Sequence, residues 1–448
     1  MNILNIKNYI VKNSTGEILR FYLDSSNKIR YDLYDNNLEL TEECLFSEDI
    51  VIAFSLDIDT RDRIHLIYIC SDGNVYYNLY SNKKWVKKNL TKFDIRSNIY
   101  SGLSLRINKE FIHILYSFSN LINPKLWNIQ HILGSKGSWE KTNVISFTSG
   151  KIIPNFFFDF DKFDNIHLIY TSIVENFGNI NYTIFNSSSK KWNSVPKLLS
   201  NQQNNSSNPY ILIDRFDNIH ALWIVNKNNS FELKYKHLPI LGSSKNIWKD
   251  ETIPLTNYEL KHPLIHEEKN RLKILIISKS KLFSLSSNDY GFTWNLDETI
   301  DIPTDIEIQN AKYLTNLSGE ISTRKATHII FCLNEKLILL GQEFIDYIYN
   351  YSSNDVDNDK GIIPEVDELI DTNIILDTLK NISNKINTLD DTYKNFATQL
   401  KDIGNALLIF KESLDTNNQN LIELQKISEE LNSKTLRVGF WSKLIKRN

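Results

Sequence analysis

Apolar residues between positions 1 and 350 come in short, nearly continuous runs of five or six, each preceded by a polar turn, and the combination recurs. Asp57 to Tyr68 (DIDTRDRIHLIY) returns as Asp159 to Tyr170 (DFDKFDNIHLIY) and again as Asp214 to Trp223 (DRFDNIHALW). Weaker copies start at Glu17 (EILRFY), Phe111 (FIHILY), Arg271 (RLKILI) and Ala326 (ATHIIF), making seven at steps of 46 to 55 residues. Runs of this length, bounded by Asp and Asn that bond their own backbone, predict hairpins rather than helices.

A histidine column, His65, His113, His167, His220 and His328, marks the second strand of each hairpin. A third strand follows, as in Asn74 to Tyr80 (NVYYNLY), and ends in a polar turn closed by tryptophan: Trp85, Trp139, Trp192, Trp248 and Trp294. A fourth strand after each Trp gives four strands in about 50 residues, the unit of a β-propeller. The chain is therefore expected to be all-β over residues 1–350, with seven blades and six or eight as the neighbouring counts. Strands covered on both sides by adjacent blades account for the lack of strict alternation. The last copy lacks a fourth strand, and Asn2 to Ile6 is expected to supply it and close the ring, removing its free edges.

The fifth Trp turn reads Ser287, Asn288, Asp289, Tyr290, Gly291, Phe292, Thr293, Trp294. It resembles, at every defined position, the S-x-D-x-G-x-T-W Asp box of the sialidase-like, BNR-repeat propellers. In that family the box lies between the third and fourth strands of a blade, away from the sugar site, so the resemblance implies a fold. Ser287, Asp289, Gly291, Thr293 and Trp294 are its structural residues; the other four Trp turns resemble eroded boxes. A retaining sialidase would also need three arginines, announced by an F-R-I-P segment absent here, with a Tyr/Glu pair and an Asp acid. Arg20, Arg30, Arg215, Arg271 and Arg324 stand in no such context.

The histidines are expected to be structural, each bonded to a nearby turn Asp, because equivalent blade positions lie far apart and none has a second ligand at metal spacing. The clusters Asp57/Asp59/Asp62 and Asp159/Asp161/Asp164 read as turn formers, not calcium loops. Cys44, Cys70 and Cys332 show no pairing or zinc spacing and are expected to be buried thiols. No cofactor or metal site is expected.

Beyond the repeats, residues 351–364 are polar and read as a linker, with Pro364 placed to open a helix. Leu379, Ile382, Ile386, Leu389, Phe396, Leu400, Ile403, Leu407, Phe410 and Leu414 then recur at alternating three- and four-residue steps. This heptad predicts a coiled-coil helix over 365–435, whose apolar stripe calls for a partner, first of all a second copy. Residues 436–448 form a cationic aromatic tail, with Phe440, Trp441, Lys443, Lys446 and Arg447 suited to a membrane interface or a partner pocket.

Composition narrows the function. The 51 Lys and Arg against 54 Asp and Glu leave a net charge of −3, giving no general attraction to nucleic acid. No apolar run reaches the roughly 18 residues of a membrane span, and the start has no basic-then-apolar leader. Cytoplasmic synthesis is expected, with cell-surface, spore or particle association open. The leading expectation is a non-enzymatic binding or scaffold protein, glycan- or surface-binding, presented on an oligomerising stalk. A sialidase-like glycoside hydrolase and a structural component of a spore coat or phage particle are the alternatives.

Overall fold

The computed structural model describes residues 8–339 apart from short stretches, the longest being 240–246, together with Phe344, Ile348 and seven positions between 401 and 426. The chain divides into two compact units, 1–359 and 360–448, and the described fold is that of the first. The heptad positions from Leu379 to Leu414, the linker, the tail from Phe440 to Arg447 and the Asn2–Ile6 segment lie outside the described residues.

The strands form seven antiparallel repeats, spanning 8–45, 51–92, 98–148, 156–198, 205–251, 261–301 and 308–339, here called units one to seven. Their innermost strands are Asn8–Lys12, Val51–Ile58, Asn98–Asn108, Phe156–Phe160, Asn205–Ile213, Lys261–Glu268 and Ile308–Thr315. Units one and seven merge into one sheet through a parallel pairing of their innermost strands, from Tyr9↔Lys312 to Lys12↔Thr315. Among the described residues this pairing joins the two ends of the repeat array, inner strand against inner strand. A clamp of Leu337 N–H on the Leu38 carbonyl reinforces it.

The apolar core lies between units. Along Ile64–Cys70, Ile64, Leu66, Tyr68 and Cys70 pack toward unit one, whereas Ile67 and Ile69 pack toward unit three. In Ile219–Lys227, Ile219, Ala221, Trp223 and Val225 face unit four and Leu222 and Ile224 face unit six. Ile64–Cys70 is buried throughout and Ile219–Lys227 over its first seven residues, which is why their sequences are apolar apart from the repeat histidine. The same construction runs round to Ile10, Ile18, Ala311, Tyr313 and Phe331 between units seven and one. Cys70 and Cys332 are buried and Cys44 is half-buried near the rim, all three as free thiols, so the expectation of burial is corrected at Cys44.

Ile10 is fully buried in the closing junction. Ile10→Ala is expected to cost about 2–5 kcal/mol, read as a lower urea midpoint at unchanged slope; a loss below about 0.5 kcal/mol would show that the closing strand is not part of the cooperative core.

Candidate functional site

The turn aspartates set the geometry. Asp59 accepts N–H bonds from Arg61 and Arg63 (2.9 and 3.0 Å), Asp161 from Phe163 and Asn165 (both 2.9 Å), and Asp214 from Phe216 and Asn218 (both 2.8 Å). The second aspartate of each turn, Asp62, Asp164 and Asp217, adopts a positive φ of 58°, 64° and 65°, which Asp tolerates better than most residues. Its carboxylate reaches back to the preceding unit: Asp62 accepts from the Ser14 N–H, Asp164 from Asn108, and Asp217 from the Lys162 N–H.

The other oxygen of the first aspartate holds the repeat histidine. Asp161 lies 3.1 Å from His167 Nε2 and Asp214 lies 3.1 Å from His220 Nε2, with Asp59 at 3.3 Å from His65 Nε2. Hydrogen bonds hold all three carboxyls below the usual carboxylate range despite burial, so they are acceptors and Nε2 carries the proton. Nδ1 then accepts the hydroxyl of a third-strand tyrosine: Tyr77 for His65, Tyr182 for His167 (2.6 Å) and Tyr235 for His220 (2.7 Å). The tryptophan of the next unit packs edge-on against that tyrosine, Trp139 on Tyr77, Trp248 on Tyr182 and Trp294 on Tyr235. The two sequence columns thus meet in space across a unit boundary.

Two histidines depart from this scheme. His113 has no turn Asp; its Nδ1 faces His131 Nε2 at 3.1 Å, and Trp192 donates to His131 Nδ1 at 3.2 Å. His328 Nδ1 meets Tyr210 at 2.9 Å and its Nε2 is buried without a partner. Among the described residues no three His, Cys, Asp or Glu side chains are grouped to hold a metal.

In unit six, Ser287, Asp289, Gly291 and Thr293 form one hydrogen-bonded turn. Ser287 Oγ donates to Asp289 (2.7 Å) and accepts the Gly291 N–H (2.8 Å), and both Thr293 N–H and Oγ1 bond Asp289 (2.8 and 2.7 Å). Gly291 has φ +94°, and a Cβ there would stand 1.8 Å from the Tyr235 hydroxyl. The turn therefore closes over the Asp214–His220–Tyr235 chain of the preceding unit.

A further row of residues sits one step inward. Cross-strand register places one inner-strand residue opposite the repeat column in each unit: Val11, Asp57, Arg106, Asp159, Leu212, His266 and Lys312. Asp57 accepts the Ile107 N–H of unit three (2.7 Å) and Asp159 the Ile213 N–H of unit five (2.9 Å), clipping neighbouring inner strands together. Lys312 is buried, donates to the Leu56 and Leu105 carbonyls at 3.3 and 2.9 Å, and is lowered by burial to about 7. A cavity of about 270 Å³ lies on the Lys312 side, with Tyr9, Phe157 and His328 in its wall. A second, of about 480 Å³, opens beyond Arg106 and Thr327, which border both.

The larger cavity is charged. Its wall includes Arg106, Arg215, Arg324, Lys325, Asp57, Asp159, Tyr313 and Glu320. The acids are engaged: Asp57 and Asp159 by backbone N–H groups, Glu320 by Lys12 (2.6 Å) and by the Tyr313 hydroxyl. The cations are less so. Arg106 stands 3.6 Å from Asp57 and 4.0 Å from Asp159, Lys325 3.8 Å from Asp159, and Arg324 Nε is buried with no partner. Arg215 is anchored on the carbonyls of Ser322 and Ile321. The one-turn helix Ser318–Thr323, inserted between the first two strands of unit seven, supplies this side of the mouth.

Of the arginines considered from sequence, Arg215 and Arg324 lie at this mouth, whereas Arg20 is buried in an ion pair with Asp32 at 3.2 Å and Arg271 starts a strand in unit six. Arg106, Tyr313, Glu320 and Lys325 were not singled out. Arg106 could have been found by writing the inner strand of each copy antiparallel to its histidine strand, which sets it opposite His113.

No known family profile matches the chain, and no curated protein matches it by sequence. By structure it is similar to an ulvan lyase, a polysaccharide lyase solved bound to a GlcA(1-4)Rha3S saccharide, at TM-score 0.51 and 10% identity over 74% of this chain and 90% of that one. It also matches a fucose-recognising Aleuria aurantia lectin with a six-bladed propeller (TM-score 0.39, 15% identity, 68% and 98% coverage) and a Penicillium chrysogenum α-L-arabinanase (0.39, 9%, 64% and 90%). The described chain is an all-β protein of the propeller class.

Burial lowers His113 to about 4 and His131 and His328 to about 3. The unfolded chain, titrating near 6.5, takes up protons that these folded groups refuse, so stability is full above pH 6.5 and falls as pH drops toward 4. The slope is up to about 1.4 kcal/mol per pH unit for each histidine, and urea midpoints unchanged from pH 7 to 4.5 would contradict it. Gly291→Ala is expected to cost roughly 2–4 kcal/mol, combining a positive φ with a steric clash on Tyr235; differential scanning calorimetry showing no fall in melting temperature would refute that packing.

Proposed function

We propose that the protein is a carbohydrate-binding propeller whose charged mouth takes an acidic saccharide. The observation that carries this reading is the set of Arg106, Arg324 and Lys325 around one cavity of about 480 Å³, with Arg106 and Lys325 held only by long ion pairs of 3.6 to 4.0 Å and Arg324 Nε buried without a partner, while the neighbouring carboxylates accept backbone N–H bonds. Guanidinium groups suit carboxylate or sulfate oxygens in a partly desolvated site. The hydrogen-bonded turn Ser287–Trp294 supports a likeness to the Asp-box propellers. The heptad over 365–435 supports presentation of several heads through self-association, and with it the avidity of a multivalent binder.

The hydrolase reading draws on one feature, the contact of Tyr313 with Glu320 beside Arg324 in the same wall. Burial and the Glu320 charge raise the Tyr313 hydroxyl well above its ordinary value, while Lys12 and the tyrosine hold Glu320 below the usual range. That pair is built to keep its proton on the phenol, which favours binding over nucleophilic attack.

Calorimetric titration with uronate- and sialate-containing oligosaccharides is expected to show binding that weakens about tenfold on carboxyl reduction of the sugar and on Arg324→Met. Equal affinity for acidic and carboxyl-reduced sugars would refute the assignment, and release of a fluorogenic aglycone from a sialoside would overturn the non-enzymatic part. In sedimentation, the full chain is expected to run as an oligomer and a 1–350 truncation as a monomer.

A further inference from the structure

Four of the five repeat tryptophans complete the apolar junction between their own unit and the preceding one: Trp85 between units one and two, Trp192 between three and four, Trp248 between four and five, and Trp294 between five and six. Trp139, at the junction of units two and three, does not. It is 38% exposed, lies over Gly134, where a Cβ would stand 2.5 Å from its ring, and reaches unit two at the edge of Tyr77, 6.4 Å between centroids. The core of that junction contains no tryptophan, and Leu90, Phe93, Tyr100, Phe118 and Ile132 border it only partly buried.

Beside Trp139 a cavity of about 450 Å³ is left, within the roughly 300–1,000 Å³ range of small-molecule sites. Its walls are aromatic and aliphatic. Phe93 and Tyr100 stack at 4.5 Å and 18°, and Tyr116 packs 4.8 Å from Phe93. Gly73 fixes Phe93 in place: it has φ +88°, and a Cβ there would stand 2.3 Å from the Phe93 carbonyl. Tyr116 is nearly fully buried, and burial raises its hydroxyl well above the ordinary value. The charged rim is cationic in effect. Lys92 and Lys141 are exposed there, with the Lys141 ammonium 6.0 Å from the Tyr116 ring, whereas Asp94 is committed to the N–H groups of Arg96 and Ser97 (3.1 and 3.2 Å).

We infer that this cleft is a second binding site, independent of the charged mouth, for a flat apolar ring compound carrying an anionic group, such as an aryl carboxylate. Flat aromatic walls match an aromatic ring, and the Lys92 and Lys141 ammonium groups match a carboxylate at its edge. A saccharide ring would leave most of its hydroxyls facing apolar walls without partners, which disfavours it.

The test is calorimetric titration of the full chain with 2-naphthoate, 2-naphthamide and neutral methyl glycosides. Naphthoate is expected to bind at one site per chain, naphthamide about tenfold more weakly, and the glycosides not at all at this cleft. Lys141→Gln is expected to weaken naphthoate several-fold. Ile132→Trp, which fills the cavity, is expected to abolish binding, with Leu90→Trp from the edge strand as a second filling variant should the first fail to fold. The proposal is overturned if naphthoate does not bind, if acid and amide bind equally, if a glycoside binds and is displaced by the filling variants, or if naphthoate binding survives in a folded filling variant.

Discussion

The contact on which the rest depends is the chain from turn aspartate to histidine to tyrosine, with the next unit's tryptophan against the tyrosine. Its first link fixes the turn, since one carboxylate oxygen orders the backbone while the other orients the imidazole. Its last link reaches the neighbour, because Trp248 and Trp294 pack edge-on against tyrosines that are each held by a histidine in the preceding unit. Local turn geometry and long-range packing are thereby one interaction, in which carboxylate, imidazole and phenol are buried and paired with one another, whereas the Trp294 Nε1 at its end is buried without a partner. The hydrogen-bonded turn Ser287–Trp294 belongs to the same system, its glycine giving room to the Tyr235 hydroxyl.

The inner-strand residue facing the repeat column differs from unit to unit, both in units two, four and five, where that chain is present, and in the four where it is not. The seven occupants range from Val11 and Leu212 to Asp57, Arg106 and Lys312. A repeating array so acquires an asymmetric centre: aspartates that clip strands, a lysine held by carbonyls, and one arginine in long ion pairs with both aspartates.

The repeat, its length, the strand number per unit and the role of the turn aspartates were legible because each is imposed locally and copied many times. His65, His167 and His220 recur with their Asp at a constant spacing, so one copy explains the next. The mouth was less legible. Arg106 sits in the weakest part of the third copy, Tyr313 lies on the inner strand of the divergent seventh unit, and Glu320 belongs to the helix inserted after that strand, so none is supported by repetition. The proximity of this helix to Arg215 arises from packing between units five and seven, which no single repeat encodes. Trp139 shows the same limit from the other side: its sequence context matches that of the other tryptophans, yet Gly134 beneath it lets the indole lie outward and leaves a gap that only packing reveals.

The parallel join of the first and seventh units has a kinetic consequence. Asn8 bonds Gln309 across 301 residues of chain, and the loop entropy of such a contact exceeds that of a unit-sized loop by only about 1.6 kcal/mol. What is costly is time: the first strand waits for the last to be synthesised, and until then Asn8–Lys12 offers one unsatisfied edge to anything nearby. Nascent chains of this protein should therefore depend on whatever shields that edge, and the hazard ends when the seventh unit arrives to occupy it.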